Sequence, residues 1–335
     1  MTDNIKVAFY GCGNFAQKTR IPNVLKTGAQ IVGLSDTNVE SLKTAKDQCP
    51  SAKIYEDAHQ MLEDEKIDVL YSIVPAFVRT DVEITAAQKG IHIFSEKPQV
   101  MEMALGKKIE TAILDSDVLS TVGVRERYRP LFQEAREWLK GKKIVHARFQ
   151  SISGLPPFEP ASWWDEIDKS GGSALDWGIH ATDYMRYLTT MNIKTAQAFY
   201  HHPPEYTLPL SSSIHYCFSS GATASLLFVK TAGEVGSQGM PAGEPWFKFF
   251  CEEGVLSIHG YESLLVDGDL LYEAKPFDPW EEQDRVFIEA VRNRDTQGLL
   301  SDYSDGLHSL GPVLAAWHSA KRGGEAIDVE SFIEQ

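Results

Sequence analysis

Residues 6–16 read KVAFYGCGNFA, and an acid follows at Asp36. Lys6 to Tyr10 reads as a short buried strand. Gly11, Gly13 and Ala16 then give the spacing G-x-G-x-x-A, and a helical pattern begins at once. Gly11 permits a tight turn, Gly13 lets a pyrophosphate approach the backbone, and Ala16 lets the helix pack close against the strand. The free N–H groups at the helix start suit an anionic phosphate. Alone, such a triplet is weak evidence, because glycine-rich turns are common. Here a second strand, Gln30 to Ser35, ends at Asp36, where a ribose-binding acid belongs. The expected dinucleotide contacts are therefore Gly11, Gly13, Asn14, Phe15 and Ala16, with Ser35, Asp36 and Thr37 after the second strand. A carboxylate accepts from both ribose hydroxyls and repels a 2′-phosphate. No arginine or lysine follows until Lys43, so NAD is preferred and NADP stays open to an arginine from elsewhere.

The alternation continues outward. Helices are expected to about Thr27, with Pro22 bending or delaying the first, and over 38–48, 58–65, 79–89 and 101–115. Strands are expected at 53–55, 68–74, 91–95 and 118–122. Repeated strand–helix units imply a doubly wound parallel sheet, in which ligands bind beyond the carboxyl ends of the strands. Gly11, Asp36, Pro75 and Glu96 all fall at such ends. Glu96-Lys97-Pro98 closes a buried strand, and Pro98 holds Lys97 extended, with a cis bond open. A lysine partly desolvated beside a cofactor can exchange a proton, although it can equally be a surface residue ending a strand.

Composition bounds the rest. A chain of 335 residues suggests two domains, and 43% hydrophobic residues can build a sizeable core. A net charge of −15 argues against nucleic-acid or anionic-membrane partners. Four scattered cysteines, without a C-x-x-C pair, fit a reducing compartment without disulfides or structural zinc. Cys12 stands near a helix N-terminus that could lower its thiol pKa, or is simply a small loop residue. With no signal-like apolar segment and no membrane-length run, the expectation is a soluble cytoplasmic protein.

Beyond residue 123 the texture changes. Arg125, Arg127 and Arg129 interleave with Glu126 and Tyr128, and Arg127 is the candidate to grip a hydroxylated or anionic substrate rather than sit in a solvated loop. A helix from Pro130 to near Leu139 precedes a half-buried strand over 144–152. Trp163 and Trp164 can form a sugar-facing wall or a local core. From about Ala174 a helix carries Asp176, His180 and Asp183 at i, i+4, i+7, which places two carboxylates and an imidazole on one face. Imidazole suits general base work near neutrality. A metal reading is disfavoured, because no third His or Cys joins at ligand spacing and the glycine-rich turn already implies an organic cofactor. Strands over 193–201, 211–219, 221–230, 246–252, 255–259, 263–267 and 270–273 suggest a large, mostly antiparallel sheet whose apolar face a second subunit would cover. The glycine-rich stretch 233–245 is a candidate mobile loop or lid. Helices close the chain at 279–293 and 304–321.

Together GCGNFA (11–16), EKP (96–98), RERYRP (125–130), GGSALDWGIHATD (171–183) and HSLGPVLAAWHSAKRG (308–323) resemble the Gfo/Idh/MocA oxidoreductases, the glucose–fructose oxidoreductase and inositol dehydrogenase group. The resemblance covers essentially the whole chain. It implies an α/β architecture: a Rossmann domain over 1–123 and an α+β substrate and oligomerisation domain over 124–335, the late helix packing back on the first. It implies NAD or NADP, hydride transfer at a sugar or cyclitol carbinol, and a homodimer or homotetramer formed through the open sheet. It puts catalytic roles on Lys97, Asp176 and His180. Two departures stand out: Pro75-Ala76-Phe77-Val78-Arg79 where the family often has P-N-x-x-H, and Arg125 where many members have asparagine. Two rival activities share the pattern. One is redox-neutral NAD-dependent elimination or hydrolysis of a sugar. The other is a non-catalytic sensor of NAD or sugar.

Overall fold

The structure, a computed structural model, describes residues 4–233 and 244–335. It resolves into two compact units, Met1–Tyr128 with Asp278–Leu307, and Arg129–Phe277 with His308–Gln335. Residues 278–307, placed after the boundary at 123 in the sequence reading, thus cluster with the first unit.

The first unit is built on six parallel strands: β1 (Lys6–Tyr10), β2 (Gln30–Ser35), β3 (Lys53–Tyr55), β4 (Val69–Ser72), β5 (His92–Ser95) and β6 (Ser120–Val122). Their order is β3-β2-β1-β4-β5-β6, the doubly wound arrangement. Between them run α1 (Ile21–Lys26), α2 (Val39–Gln48), α3 (Ala58–Asp64), α4 (Val82–Gln88) and α5 (Met103–Asp115). Every residue of β4 is buried, as a strand covered on both faces requires. Phe9, Tyr71 and Phe94 stack across β1, β4 and β5 with centroids 5.1 and 4.6 Å apart. The expected cap at Asn38 is present, its Oδ1 accepting from Ser41 N at 3.0 Å. In register Tyr10 pairs with Ser35 and Ser72, and Ser72 with Ser95, so the residues that follow them stand along one sheet edge.

Two local differences have physical causes. The helix after the glycine turn opens as a π-helical turn, Ala16–Arg20, before α1, with Ile21 N–H donating to Ala16 O. Pro22 has no N–H for a regular bond at the next position and sits comfortably at the second position of α1. The helix expected from residue 79 begins at Val82, because Arg79 is extended after a short turn, Ala76–Val78.

The second unit holds nine strands among the described residues: β7 (Ile144–Ser153), β8 (Ile193–His201), β9 (Ser211–Phe218), β10 (Thr223–Lys230), β11 (Phe247–Cys251), β12 (Gly254–His259), β13 (Ser263–Val266), β14 (Asp269–Glu273) and β15 (Ile327–Asp328). The order is β14-β13-β12-β11-β7-β10-β9-β8-β15, antiparallel except where β7 meets β10. Ala224, Leu226 and Phe228 point to the buried face of β10, while Thr223 and Leu227 are exposed. Helices α6 (Pro130–Leu139), α7 (Ile167–Ser170) and α8 (Gly172–Thr189) follow the chain, and α8 is buried continuously from Gly178 to Thr189. Next, α9 (Pro279–Asn293) puts Phe287, Ile288 and Val291 into the core of the first unit. Finally α10 (Tyr303–Lys321) and α11 (Val329–Ile333) complete the fold. The candidate loop or lid at 233–245 falls largely on residues 234–243, which lie outside the described residues.

Candidate active site

The carboxyl edge of the first sheet carries the glycine turn. Gly11 has φ +94°, its N–H donates to Ser35 O at 2.8 Å, and a Cβ there would meet Ile73 O at 2.7 Å. Only glycine fits. Gly13 differs: a Cβ there would meet nothing within 4 Å. The protein's own packing does not demand glycine at 13, and the space over it is open. Asp36 stands beside this space, partly exposed. Its Oδ2 accepts from Cys12 N at 2.7 Å and its Oδ1 from Asn38 N at 2.8 Å. Both bonds orient the carboxylate, and each oxygen keeps a further lone pair for a hydroxyl. Gln17 ties the turn to α2 through Cys12 O and Ser41 O. Asn14, Phe15 and Thr37 are exposed along this edge, while Ala16 is buried as close helix packing requires.

Of the two readings of Cys12, the structure favours the packing one: burial, reinforced by the nearby Asp36 charge, pushes its thiol far up. The Ser35 side chain is fully buried, and its carbonyl accepts from Gly11 N–H.

At the end of β5, Lys97–Pro98 is cis and Lys97 is half-buried. Two buried arginines fix this turn. Arg20 donates to the Glu96 carboxylate from Nε at 2.9 Å and also from Nη2, and its Nη1 donates to Asp284 Oδ1 at 2.9 Å. Its guanidinium lies 4.4 Å from the Phe94 ring centroid. Burial lowers the proton affinity of Arg20, yet Asp284 and Glu96 overcome it and hold the cation firmly charged. Burial likewise dominates at Asp284, whose carboxyl is pushed up to about 6 against the pull of Arg20 and Asn23. The Glu96 carboxylate also accepts from Lys97 N at 3.1 Å and fills the space over Gly123, where a Cβ would collide with it. Arg79 holds the backbone: Nη2 donates to Glu96 O at 2.6 Å, and Nη1 to Glu83 Oε1 and Ser95 Oγ at 2.6 and 2.5 Å. Pro75 opens the short turn that leads to it.

Sequence reasoning missed Arg20 entirely. The signal was a charge one helical turn after Ala16 and immediately before Ile21, on a helix whose Ile21 and Val24 are fully buried.

In the second unit, Asp176 and His180 lie one turn apart on α8. His180 is buried, with Nδ1 3.1 Å from Tyr184 Oη. Asp183 does not join them as a reacting group; it is fully buried and accepts from Ser309 Oγ at 2.7 Å, the same hydroxyl that receives Arg186 Nη1. Trp163 and Trp164 stack on each other at 3.9 Å in a turn closed by a Ser162–Asp165 capping box, and Trp164 is half exposed. Arg127, expected to grip substrate, is instead buried in the first unit, tied to Leu300 O at 2.5 Å and Asp305 at 2.6 Å. An ion pair that holds a buried arginine in this way is structural. Arg125 lies over the Trp280 ring at 4.2 Å. Among the described residues no group of three or more His, Cys, Asp or Glu is placed to hold a metal ion, and no helix is long and apolar enough to cross a membrane.

The glycine turn, Asp36 and the Glu96–Lys97 turn thus stand on one sheet edge, and the polar pair stands on α8. The chain resembles known proteins over both halves. Residues 5–124 match the model of the "Oxidoreductase family, NAD-binding Rossmann fold", and residues 132–257 match the "GFO/IDH/MocA C-terminal domain". The scyllo-inositol 2-dehydrogenase (NAD(+)) of Bacillus subtilis is 28% identical over 195 residues, 56% of this chain and 55% of that protein. The myo-inositol 2-dehydrogenase of Thermotoga maritima is 26% identical over 160 residues, 48% of this chain and 47% of that protein. The chain therefore spans about half the length of these curated relatives. Among solved structures, the WlbA dehydrogenase of Bordetella pertussis, in complex with NADH and UDP-GlcNAcA, superposes with a TM-score of 0.80 at 20% identity, over 97% of this chain and 98% of that one. With family models covering both halves, the chain belongs to the Gfo/Idh/MocA oxidoreductase family.

Proposed function

We propose that this protein is an NAD-dependent dehydrogenase that moves a hydride between a secondary alcohol of a sugar, cyclitol or related polyol and nicotinamide. The observation that carries the reading is the pairing of open space above Gly13 with the Asp36 carboxylate, already oriented by Cys12 N and Asn38 N. The turn would hold a pyrophosphate, and Asp36 the adenosine ribose, which favours NAD over NADP. Bound NAD supplies the hydride acceptor. His180 takes the alcohol proton at Nε2, its ring fixed through Nδ1 by Tyr184. The role the family pattern gives Lys97 is to stabilise the negative charge that develops on an alcohol oxygen. Asp176 accepts from a substrate hydroxyl, and the Trp163–Trp164 stack offers an aromatic face to its C–H groups. The family pattern supports the roles of Lys97, Asp176 and His180. A second copy of the chain would cover the outer face of the large sheet, where Phe199 and Leu227 are exposed.

The test is a panel of sugars, cyclitols and sugar acids with NAD and with NADP, read as reduced nicotinamide. Lys97→Met and His180→Asn should each lower kcat by at least ~100-fold with NAD affinity retained, and the double variant should lose little more than either. Near-normal turnover in both single variants would refute the assignment. Product formation without net NADH would favour the redox-neutral chemistry, and NAD binding without turnover would favour a sensor.

A further inference from the structure

Among the described residues an aromatic surface lies open beside the start of α8. Leu155, Phe158 and Trp164 are all exposed and fall within one short stretch after β7. Phe158 is 70% exposed, yet it is firmly held. Its ring stacks on Tyr206 with centroids 5.1 Å apart and 30° between the planes. Pro156, Pro157 and Pro160 stiffen the backbone around it. Thr207 N and Oγ1 both donate to Pro157 O, at 3.2 and 3.0 Å, and tie this stretch to the one before β9. His202 Nε2 lies 2.8 Å from Tyr206 O. Trp164 exposes half its surface from its stack with Trp163, and its backbone stands within about 22 Å of that of Phe158. The same two stretches meet the helix that carries Asp176 and His180. A Cβ on Gly172, the first residue of α8, would lie 3.2 Å from Ile167 and 3.8 Å from Leu208 and Pro209.

Apolar area left in water costs about 25 cal/mol per Å², and the ordering that a ligand would otherwise have to impose on this ring is already in place. The surrounding charge selects the ligand. Residues 154–170 and 202–210 carry the carboxylates of Glu159, Asp165, Glu166, Asp168 and Glu205. Against them stand Lys169 and His202, with Lys230 at the end of β10 beside Ser153. A diphosphate or a uronate meets net negative charge there. A neutral sugar suits both features, because its C–H face packs on an aromatic ring and its hydroxyls donate to carboxylates. We propose that Phe158, backed by Tyr206, is the platform of a subsite for a second, neutral sugar unit, so that the substrate is a glycoside rather than a free monosaccharide. The inference rests on the dehydrogenase reading, with the reacting ring at Asp176 and His180.

The experiment pairs glucose, galactose and xylose with cellobiose, lactose and xylobiose, each titrated calorimetrically into the full chain with NADH present and assayed with NAD. For at least one pair the disaccharide should bind roughly 10-fold tighter or better, the size expected from covering one ring face. Phe158→Ala should erase that advantage and leave binding and turnover of the monosaccharide unchanged, whereas Phe158→Tyr should keep it. The Tm of Phe158→Ala should hold, since the ring is exposed. Four results would each overturn the proposal: no disaccharide advantage in any pair, equal losses on both members of a pair in Phe158→Ala, UDP-glucose binding tighter than every neutral disaccharide, or a change of oligomeric mass in Phe158→Ala, which would give the ring to another copy of the chain. Binding and turnover separate the two readings. If a disaccharide binds through Phe158 and no sugar yields reduced nicotinamide, the dehydrogenase assignment fails while the subsite stands. If a monosaccharide is oxidised and a second ring adds nothing, the subsite fails while the dehydrogenase stands.

Discussion

Replacing Arg20 with methionine tests how the lysine-bearing turn is held in place. Methionine keeps apolar contact with Phe94 and removes the cation, leaving the buried carboxylates of Glu96 and Asp284 without their shared partner. Breaking a buried pair from one side costs about 3–5 kcal/mol. Wild type already carries part of this burden. The rise of the Asp284 carboxyl from 3.8 to about 6 corresponds, at about 1.4 kcal/mol per pH unit, to roughly 3 kcal/mol against the ionised form at neutral pH. A carboxyl whose folded value lies above its unfolded one favours folding fully below the unfolded value, and that contribution is lost as pH rises through the folded value. Without Arg20 the Asp284 carboxyl must move further up. The deficit of Arg20→Met relative to wild type should therefore be small near about pH 5 and approach its full size near about pH 8. Urea denaturation at the two pH values reads it as a shift of midpoint at constant slope, accompanied by a Tm lowered by roughly 6–20 °C at the higher pH. Adding Asp284→Asn should restore part of the loss. A deficit that is absent, equal at both pH values or larger in acid would refute the account.

Further outcomes follow from the same geometry. Gly13→Ala should keep its Tm within about a degree yet weaken NADH binding at least ~10-fold in a fluorescence titration, whereas Gly11→Ala should lower the Tm as well, because its Cβ meets Ile73 O. Gly123→Ala drives a methyl into the Glu96 carboxylate; stability should fall by about 1–3 kcal/mol, with kcat falling beyond what that loss explains. Arg79→Met leaves Glu83 buried without its cation and frees the Glu96 carbonyl, so both Tm and kcat should fall. Arg79→Lys should rescue poorly, since one ammonium cannot reach Glu83, Ser95 and the Glu96 carbonyl in the fork geometry of a guanidinium.

The first unit was largely legible because its signals are local. Buried parallel strands read as apolar runs, and Gly11 and Asn38 announce their backbone roles without reference to distant residues. In the second unit, alternation located β7 to β14 within a residue or two, yet it carries no record of partner or direction. The parallel pairing of β7 with β10 was therefore invisible. Site residues divided along the same line. Those in a tight motif, Gly13, Asp36 and Lys97, stand where the reading placed them on the sheet edge. Arg127 did not keep its expected role, because a charge in a sequence does not show whether its partner is a ligand or Asp305 many residues away. Arg20 escaped for the same reason, its partners Glu96 and Asp284 being remote in the chain.

The position of β7 bears on how the molecule is made. It is the earliest strand of its sheet to leave the ribosome, yet it lies in the middle, and its two neighbours begin only at Thr223 and Phe247. Both of its hydrogen-bonding edges stay unsatisfied until most of the chain exists, and each pairing must close a long loop. Nascent chains that stall between Ser153 and Thr223 would therefore present a bare ten-residue template with its apolar side uncovered, the species most in need of a chaperone.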